Sequence, residues 1–366
     1  MTTQRDRMFG GWIMQLIDKA DLSREESRQA FFQILKNETS EMQQGAFLAA
    51  LTAKGETEGE VAGAWEAICQ LDTHTVSIEG DAPVVENSGT GMDTFKTFNI
   101  STAASIIAAT GGIRMARHGA RAITSVCGTV DMAESLGVDV ECSVQMVADS
   151  IDRANIGLFN GMSPQIHPNA LGRILSKICF GSTLNIAASL ANPALPKRAV
   201  RGVYAREMVG PVARVMRAIG YERAVVLYGG IDQSNKGMDE ASVSGTTHCA
   251  ELSPDGSIRE FRFEPTDFGL GMYNPEELSP SADIGTEARR FATLMAGEGA
   301  NARTDAAILN AGLIYYVADK SDNITDGVTE AGNALKNGKA YKALEGWVST
   351  QNSDPVQGLR TLHALS

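Results

Sequence analysis

Residues 84–110 read VVENSGTGMDTFKTFNISTAASIIAAT, and the local pattern changes twice within that span. Val84-Val85 opens a short apolar strand. The loop from Ser88 to Thr102 carries Gly89 and Gly91, which let the backbone turn tightly and bring N–H groups close to a ligand. Thr102 to Thr110 continues as an apolar helix. Asn99, Ser101 and Thr102 stand at its head, where unpaired N–H groups and the positive dipole end favour phosphate. Strand, glycine loop and helix in succession indicate an α/β fold with a largely parallel sheet, whose ligands gather at the carboxyl ends of strands. An isolated G-x-G also suits an ordinary capped turn, so the flanking chain has to decide.

The next stretch repeats the design. Ile113 to Ala116 reads as a strand, residues 117–131 (RHGARAITSVCGTVD) as a loop, and Val130 to Leu136 as a helix. This second loop adds Arg117 and Arg121, whose forked guanidinium groups match phosphate oxygens in pairs. Consecutive loops of one design imply local positive potential for a ligand with separate anionic groups. Further strands are expected at Arg223 to Leu227, with the strand ending near Tyr228, and around Ile258 to Phe263. After a loop bearing Gly229, Gly230 and Gly237 comes Met238-Asp239-Glu240. Adjacent carboxylates suit Mg²⁺, a hard ion that keeps waters while binding substrate phosphates, although such pairs are also common on solvated surfaces. The tail from Asp283 to Leu365 is mostly helical.

Upstream, the first 72 residues read as helices. Trp12, Ile13, Leu16 and Ile17 recur at helical spacing, and Asp21 is expected to cap a second helix with Ala30, Phe31, Ile34 and Leu35 on its inner face. Ser40 opens a third, ended by Lys54-Gly55, and Thr57 with Glu60 has the spacing of a capping box. The expected architecture is a small helical domain over residues 1–75, joined by helices from about 168–192, packed on an α/β domain over 76–366 with a mostly parallel central sheet.

Composition narrows the class. The chain has 366 residues, 43% hydrophobic and 21% charged, enough to bury a substantial core. Its 32 Lys and Arg against 44 Asp and Glu give a net charge of −12, which disfavours nucleic acid and anionic membranes as partners. No apolar run approaches the ~20 residues of a membrane span, and Met1 to Phe9 carry charge without the apolar stretch of a secretory signal. The 5 cysteines are scattered and form no C-x-x-C, which predicts reduced thiols and a cytoplasmic protein.

These elements in this order resemble the anthranilate phosphoribosyltransferase family, which shares its architecture with pyrimidine nucleoside phosphorylases. The resemblance runs through Asp21-Leu22-Ser23-Arg24-Glu25-Glu26, Ala49 to Thr57, Gly89-Thr90-Gly91 and Thr97-Phe98-Asn99-Ile100-Ser101-Thr102. It continues in Asn155-Ile156-Gly157, His167-Pro168, Asn192-Pro193, Asp239-Glu240, Pro265 to Leu270 and Leu309-Asn310-Ala311. It implies transfer of a phosphoribosyl group from 5-phosphoribosyl 1-diphosphate (PRPP) to an acceptor nitrogen with release of pyrophosphate, aided by Mg²⁺, in a homodimer formed through the first helices. By position, Gly89, Asp93, Thr97, Asn99, Ser101, Thr102, Arg117, Arg121, Ser125 and Thr129 would hold PRPP. Ser101, Asp239 and Glu240 would hold the metal, and His118, Ala120, His167 and Arg173 would lie beside the acceptor. No residue is assigned as nucleophile or base.

The chain also departs from the family pattern. Met92 replaces the second of a glycine pair in the first loop, and Arg117 stands for a lysine. Ala120 stands for an asparagine that seats anthranilate, and Leu175 falls where an arginine meets its carboxylate, with Arg173 the nearest arginine. The His-Pro pair is displaced as though Asn160-Gly161 were inserted, and the approach to Asp239 is longer. The donor half is kept and the acceptor half rebuilt, which favours a small, aromatic acceptor other than anthranilate. The alternatives are an authentic anthranilate enzyme of tryptophan biosynthesis and a non-catalytic relative that binds nucleotides.

Overall fold

The computed structural model describes residues 4–122, 127–168 and 170–365. Its first part is a bundle of α1 (Gln4–Ile17), α2 (Arg24–Leu35), α3 (Glu41–Lys54) and α4 (Glu58–Leu71). Ser23 rather than Asp21 caps α2, because Glu26 three residues on closes a capping box that Asp21 lacks. Asp21 instead pairs with Lys54 at 2.6 Å. The Thr57–Glu60 box forms as the spacing predicts.

The α/β part runs β1 (Val84–Gly89), α5 (Ile100–Ala109), β2 (Arg114–Gly119), α6 (Thr129–Ser135), α7 (Val144–Ala154) and β3 (Ile156–Asn160). Next come α8 (Leu171–Ile178), α9 (Thr183–Ala187), β4 (Arg198–Gly202), α10 (Val209–Ala218) and β5 (Arg223–Gly230). The sheet is completed by β6 (Gly237–Met238), β7 (Thr247–Leu252) and β8 (Ile258–Phe263). Helices α11 (Ile284–Met295), α12 (Asn301–Val317), α13 (Ile324–Lys336), α14 (Lys339–Thr350) and α15 (Pro355–His363) form the tail. The strand order is β3-β2-β1-β4-β5-β7-β8, with β6 on β5. Strands β3 to β5 in that order are parallel, whereas β6, β7 and β8 join antiparallel.

Two large cores sandwich the sheet, and a smaller one with Ala116 and Phe159 lies against β2 and β3. On one face, Val85, Met115 and Val200 pack with Ile106 of α5 and Leu309 of α12. On the other, Ala199 and Val226 share a core with Val212 of α10, Leu171 of α8, Leu184 of α9, and Phe31, Phe47 and Ile68 of the helical bundle. Burying side chains from both parts in one apolar cluster ties the bundle to the sheet.

Candidate active site

The carboxyl ends of β1, β2 and β4 form a glycine shelf. Gly89 pairs with Gly202, and counting on from Val85↔Met115 puts Gly119 level with Gly89. The shelf must be bare where Asp239 lies on it, since a Cβ on Gly89 or Gly202 would overlap that residue. Asp239 directly follows β6, and its Oδ2 accepts the Gly91 N–H at 2.7 Å. The longer approach predicted before Asp239 is the β5–β6 hairpin, in which Gly230 pairs with Gly237. Its base clamps the first loop: Gly237 N–H donates to Thr94 Oγ1 at 3.0 Å and Phe95 N–H to the Gly237 carbonyl at 3.0 Å. Beyond Glu240, Asn310 of α12 brackets Ala241, accepting its N–H at 2.9 Å and donating to its carbonyl at 3.0 Å.

Acidic side chains crowd this shelf. Burial, and then the charge of Asp239, push Asp93 up to about 6, although Lys96 pairs with it at 2.7 Å. Burial together with Asp239 and Asp93 pushes Glu240 well above the usual carboxylate range. Ser101 Oγ donates to Glu240 Oε1 at 3.2 Å, while Glu240 Oε2 is sealed from solvent with no partner. An orphaned acceptor among like charges is a costly arrangement that a cation would relieve. Among the described residues no group of three or more His, Cys, Asp or Glu forms a ready-made metal cage. The adjacent carboxylates of Asp239 and Glu240 suit an ion of the Mg²⁺ kind, which takes one or two carboxylates and draws its remaining oxygens from water and phosphate.

At the head of α5, Asn99 occupies the capping position without a side-chain capping bond, which leaves its amide for a ligand. Thr97 is half-buried in the same loop. Thr102 is buried and accepts a hydrogen bond from Arg117 Nη1, while Arg117 Nε donates to the Asn87 carbonyl at 3.3 Å. Arg117, 1% exposed, is therefore a cation set beneath the loop and not a fork presented on its surface. Burial lowers its pKa to about 10, and Glu240 and Glu86 act to keep it charged.

The second loop is arranged otherwise. Arg121 turns outward onto Asp131, Glu134 and Glu141 at 3.2, 2.7 and 3.3 Å, so its guanidinium is engaged by carboxylates. Asp131 Oδ2 closes the loop by accepting the N–H groups of Ala122 and Gly128 at 2.8 and 2.9 Å. Thr129 begins α6 and packs over Gly119, where a Cβ would stand 3.0 Å from Thr129 Cγ2. Ala120 is exposed. Ser125 lies outside the described residues.

On the acceptor side His118 and His167 come together, their Nε2 atoms 3.2 Å apart. Arg173 does not join them: its guanidinium donates to Gln44 Oε1 at 3.1 Å and the Ile34 carbonyl at 2.8 Å, tying α8 to the helical bundle. Leu175 is 44% exposed. Met92 sits at φ +65°, a left-handed conformation unfavourable for a residue with a Cβ. Its thioether reaches Gly181, where a Cβ would be 3.3 Å from Met92 Cε.

Sequence reasoning missed Arg201. It is fully buried on β4, in register with Ser88 and, by continuation, with His118. Its Nη1 donates to Ser88 Oγ at 2.6 Å and its Nη2 to Ser189 Oγ, just past α9. Glu86 lies on the same side of the sheet and accepts from Tyr221 at 2.8 Å and Asn192 at 3.3 Å. The available signal was charge inside short strands: Glu86 within VVENSG and Arg201 within RAVRG.

The chain is similar to known proteins over nearly its whole length. Residues 81–341 match the glycosyl transferase family a/b domain, and residues 11–71 its helical bundle domain. The anthranilate phosphoribosyltransferase of Methanothermobacter marburgensis is 33% identical over 94% of this chain and 99% of its own. The chain belongs to the anthranilate phosphoribosyltransferase family. The Rubrobacter xylanophilus enzyme of the same name is 34% identical over 89% of this chain and 93% of its own. Among solved structures, anthranilate phosphoribosyltransferase from Thermus thermophilus superposes with a TM-score of 0.84 at 28% identity, covering 93% of this chain and 99% of that one. The Saccharomyces cerevisiae enzyme in complex with PRPP and Mg superposes at 0.82 over 95% and 99%, and at 20% identity that likeness speaks for the fold. As a member of the anthranilate phosphoribosyltransferase family the protein is a glycosyltransferase. No helix among the described residues is long and apolar enough to cross a membrane.

Proposed function

We propose that this chain transfers the phosphoribosyl group of PRPP to the nitrogen of a small aromatic amine, and that the amine is not anthranilate. The orphaned Glu240 Oε2 on the glycine shelf carries the donor half of this reading, because it marks where a cation-bound diphosphate would settle. Asp239, Glu240 and Ser101 would hold Mg²⁺, and the loop from Gly89 to Thr102 would hold PRPP at the head of α5, where Asn99 makes no side-chain capping bond. When bound, Mg²⁺ neutralises the leaving pyrophosphate. The C1′–O bond breaks with its electron pair passing to pyrophosphate, the amine lone pair forms the new C1′–N bond, and the nitrogen loses a proton. Positioning and charge stabilisation suffice for this step, without a covalent nucleophile.

The acceptor half of the reading rests on Arg173, whose commitment to the bundle leaves the wall near Leu175 without that cation. A second reading, anthranilate as acceptor, is favoured by the names of the curated relatives and by Arg201, a buried cation on the same side as His118. Calorimetry with PRPP, with and without Mg²⁺, tests the donor half: Mg²⁺-dependent binding supports it and no binding overturns it. Following anthranilate fluorescence in the presence of PRPP and Mg²⁺ tests the acceptor half, which turnover at the pace of a tryptophan-pathway enzyme would refute. We also place the protein in the cytoplasm as a homodimer. Free cysteines support the first, and the exposed Met8, Met14, Ile17 and Met42 on α1 and α3 support the second.

A further inference from the structure

The pair of buried histidines has a proton arrangement that hydrogen-bond accounting settles. A backbone carbonyl can only accept, so His167 Nδ1, 2.5 Å from the Asp72 carbonyl, must carry a proton. Burial pushes the His167 pKa below the usual histidine range, against the pull of the Asp72 carbonyl and carboxylate, and nearby His74 adds to the lowering. The ring is therefore neutral at pH 7, and its Nε2 presents a lone pair. His118 Nε2 lies 3.2 Å from that lone pair and must donate to it. Burial, then His167 and Arg201, hold His118 down to about 3 against the pull of the Ser189 carbonyl, so its ring is neutral as well. With one proton, on Nε2, its Nδ1 is bare.

That bare Nδ1 faces the Ser189 carbonyl at 3.5 Å, at the outer limit of a hydrogen bond. Two acceptors converge there and neither has a proton to offer the other. The Ser189 side chain is anchored: its Oγ donates to the Asn185 and Ile186 carbonyls at 2.7 and 2.9 Å and accepts from Arg201. The ring is fixed from the other side by Gly161, where a Cβ would come within 2.7 Å of His118 Nε2.

We propose that His167 is a positioning residue that holds His118 as its Nε2–H tautomer, so that His118 Nδ1 and the Ser189 carbonyl together receive the N–H groups of the acceptor amine. The inference rests on the transferase reading and deepens it: within the amine class already proposed, the bound nitrogen must carry N–H bonds that reach both oxygen and nitrogen. A tertiary amine or a ring nitrogen without hydrogen would leave both acceptors unpaired and be rejected.

The test uses the full chain labelled with ¹⁵N-histidine, in which long-range ¹⁵N–¹H spectra report the proton position on each ring. The expected result is a neutral Nδ1–H tautomer for His167 and a neutral Nε2–H tautomer for His118 at pH 7. An Nδ1–H form of His118 overturns the proposal, whatever the protein does with PRPP. His167→Asn keeps an N–H toward Asp72 but removes the partner of His118, so the His118 tautomers mix and KM for an amine acceptor rises about tenfold, the worth of one buried hydrogen bond. His167→Gln offers Oε1 to the same N–H and restores both the tautomer and most of the KM. Equal behaviour of the Asn and Gln variants would show a merely structural histidine and overturn the assignment. Failure of the transferase reading is seen separately, as absent PRPP binding in calorimetry of the unaltered chain.

Discussion

The loop after β1 and the loop after β2 leave neighbouring strands, read alike, and meet opposite electrostatic fates. In the first, Asp93, Asp239 and Glu240 press against one another and Glu240 Oε2 has no partner. In the second, Arg121 has Asp131, Glu134 and Glu141 around it, and Asp131 closes the backbone. An unmatched buried group marks a place built for something that arrives later, whereas a matched exposed one holds the chain together. The comparison teaches that residue type and spacing locate a loop, but only the completeness of each charge's partners indicates whether it is waiting for a ligand.

The sharpest way to break the comparison is Glu240→Gln. If the first loop is strained by its acids for the sake of a cation, kcat/KM with PRPP falls by about 10²–10³. Thermal unfolding of the ligand-free variant should show the opposite sign, a higher Tm than the parent, since a carboxyl that ionises only against burial, Asp239 and Asp93 is gone. A lower Tm together with unchanged kinetics would mean that the carboxylate is structural.

The next largest effect is expected one row below the shelf. Arg201 is the cation that faces buried Glu86, so Arg201→Met should cost about 3–5 kcal/mol in urea unfolding at pH 8. The loss should shrink near pH 5. Burial holds the folded-state pKa of Glu86 above its unfolded value, Arg201 pulls it down, and the folded state therefore retains the proton to higher pH. Its contribution is most favourable at low pH and is lost as pH rises through the raised pKa. The double variant Glu86→Gln with Arg201→Met should recover much of the stability at pH 8, and purely additive losses would show that the residues do not interact.

These residues also show where the sequence stops being legible. The strand–loop–helix units, the Thr57–Glu60 box and the Asp239-Glu240 pair could be read because their signals are local, within a few residues of one another. Strands β3, β4, β6 and β7 were not identified. β4 offers only Ala199 and Val200 between arginines, and a buried Arg201 is tolerable solely because Ser88 and Ser189 reach it from distant parts of the chain. Arg173 looked available to an acceptor for the same reason: its partners, Gln44 and the Ile34 carbonyl, are supplied by helices more than a hundred residues earlier. Asp21 and Ser23 were a closer contest, decided by whether a glutamate lay three residues downstream.

A smaller effect sharpens the view of the first loop. Met92→Gly removes a Cβ from a left-handed position, a relief of about 1 kcal/mol that the greater freedom of glycine in the unfolded chain partly offsets. The expected urea midpoint is unchanged or slightly higher. A fall of more than about 1 kcal/mol would mean that the thioether contact with Gly181 outweighs the backbone strain, and that the loop is held to the segment between α8 and α9 by that side chain.

The smallest expected effect tests the other side of the comparison. Arg121 is about one-third exposed, as are or more so Glu134 and Glu141, and exposed ion pairs contribute little because water and salt already screen them. Arg121→Met should therefore cost under about 1 kcal/mol of stability, and less in high salt. With its guanidinium engaged by carboxylates of α6 and Glu141, PRPP affinity measured by calorimetry should stay within about twofold of the parent. A tenfold or greater loss would mean that the arginine leaves its acidic partners to meet a phosphate. The contrast between the loops would then lie in timing: the first offers its unmatched carboxylate from the start, and the second releases its arginine only when a stronger anion competes for it.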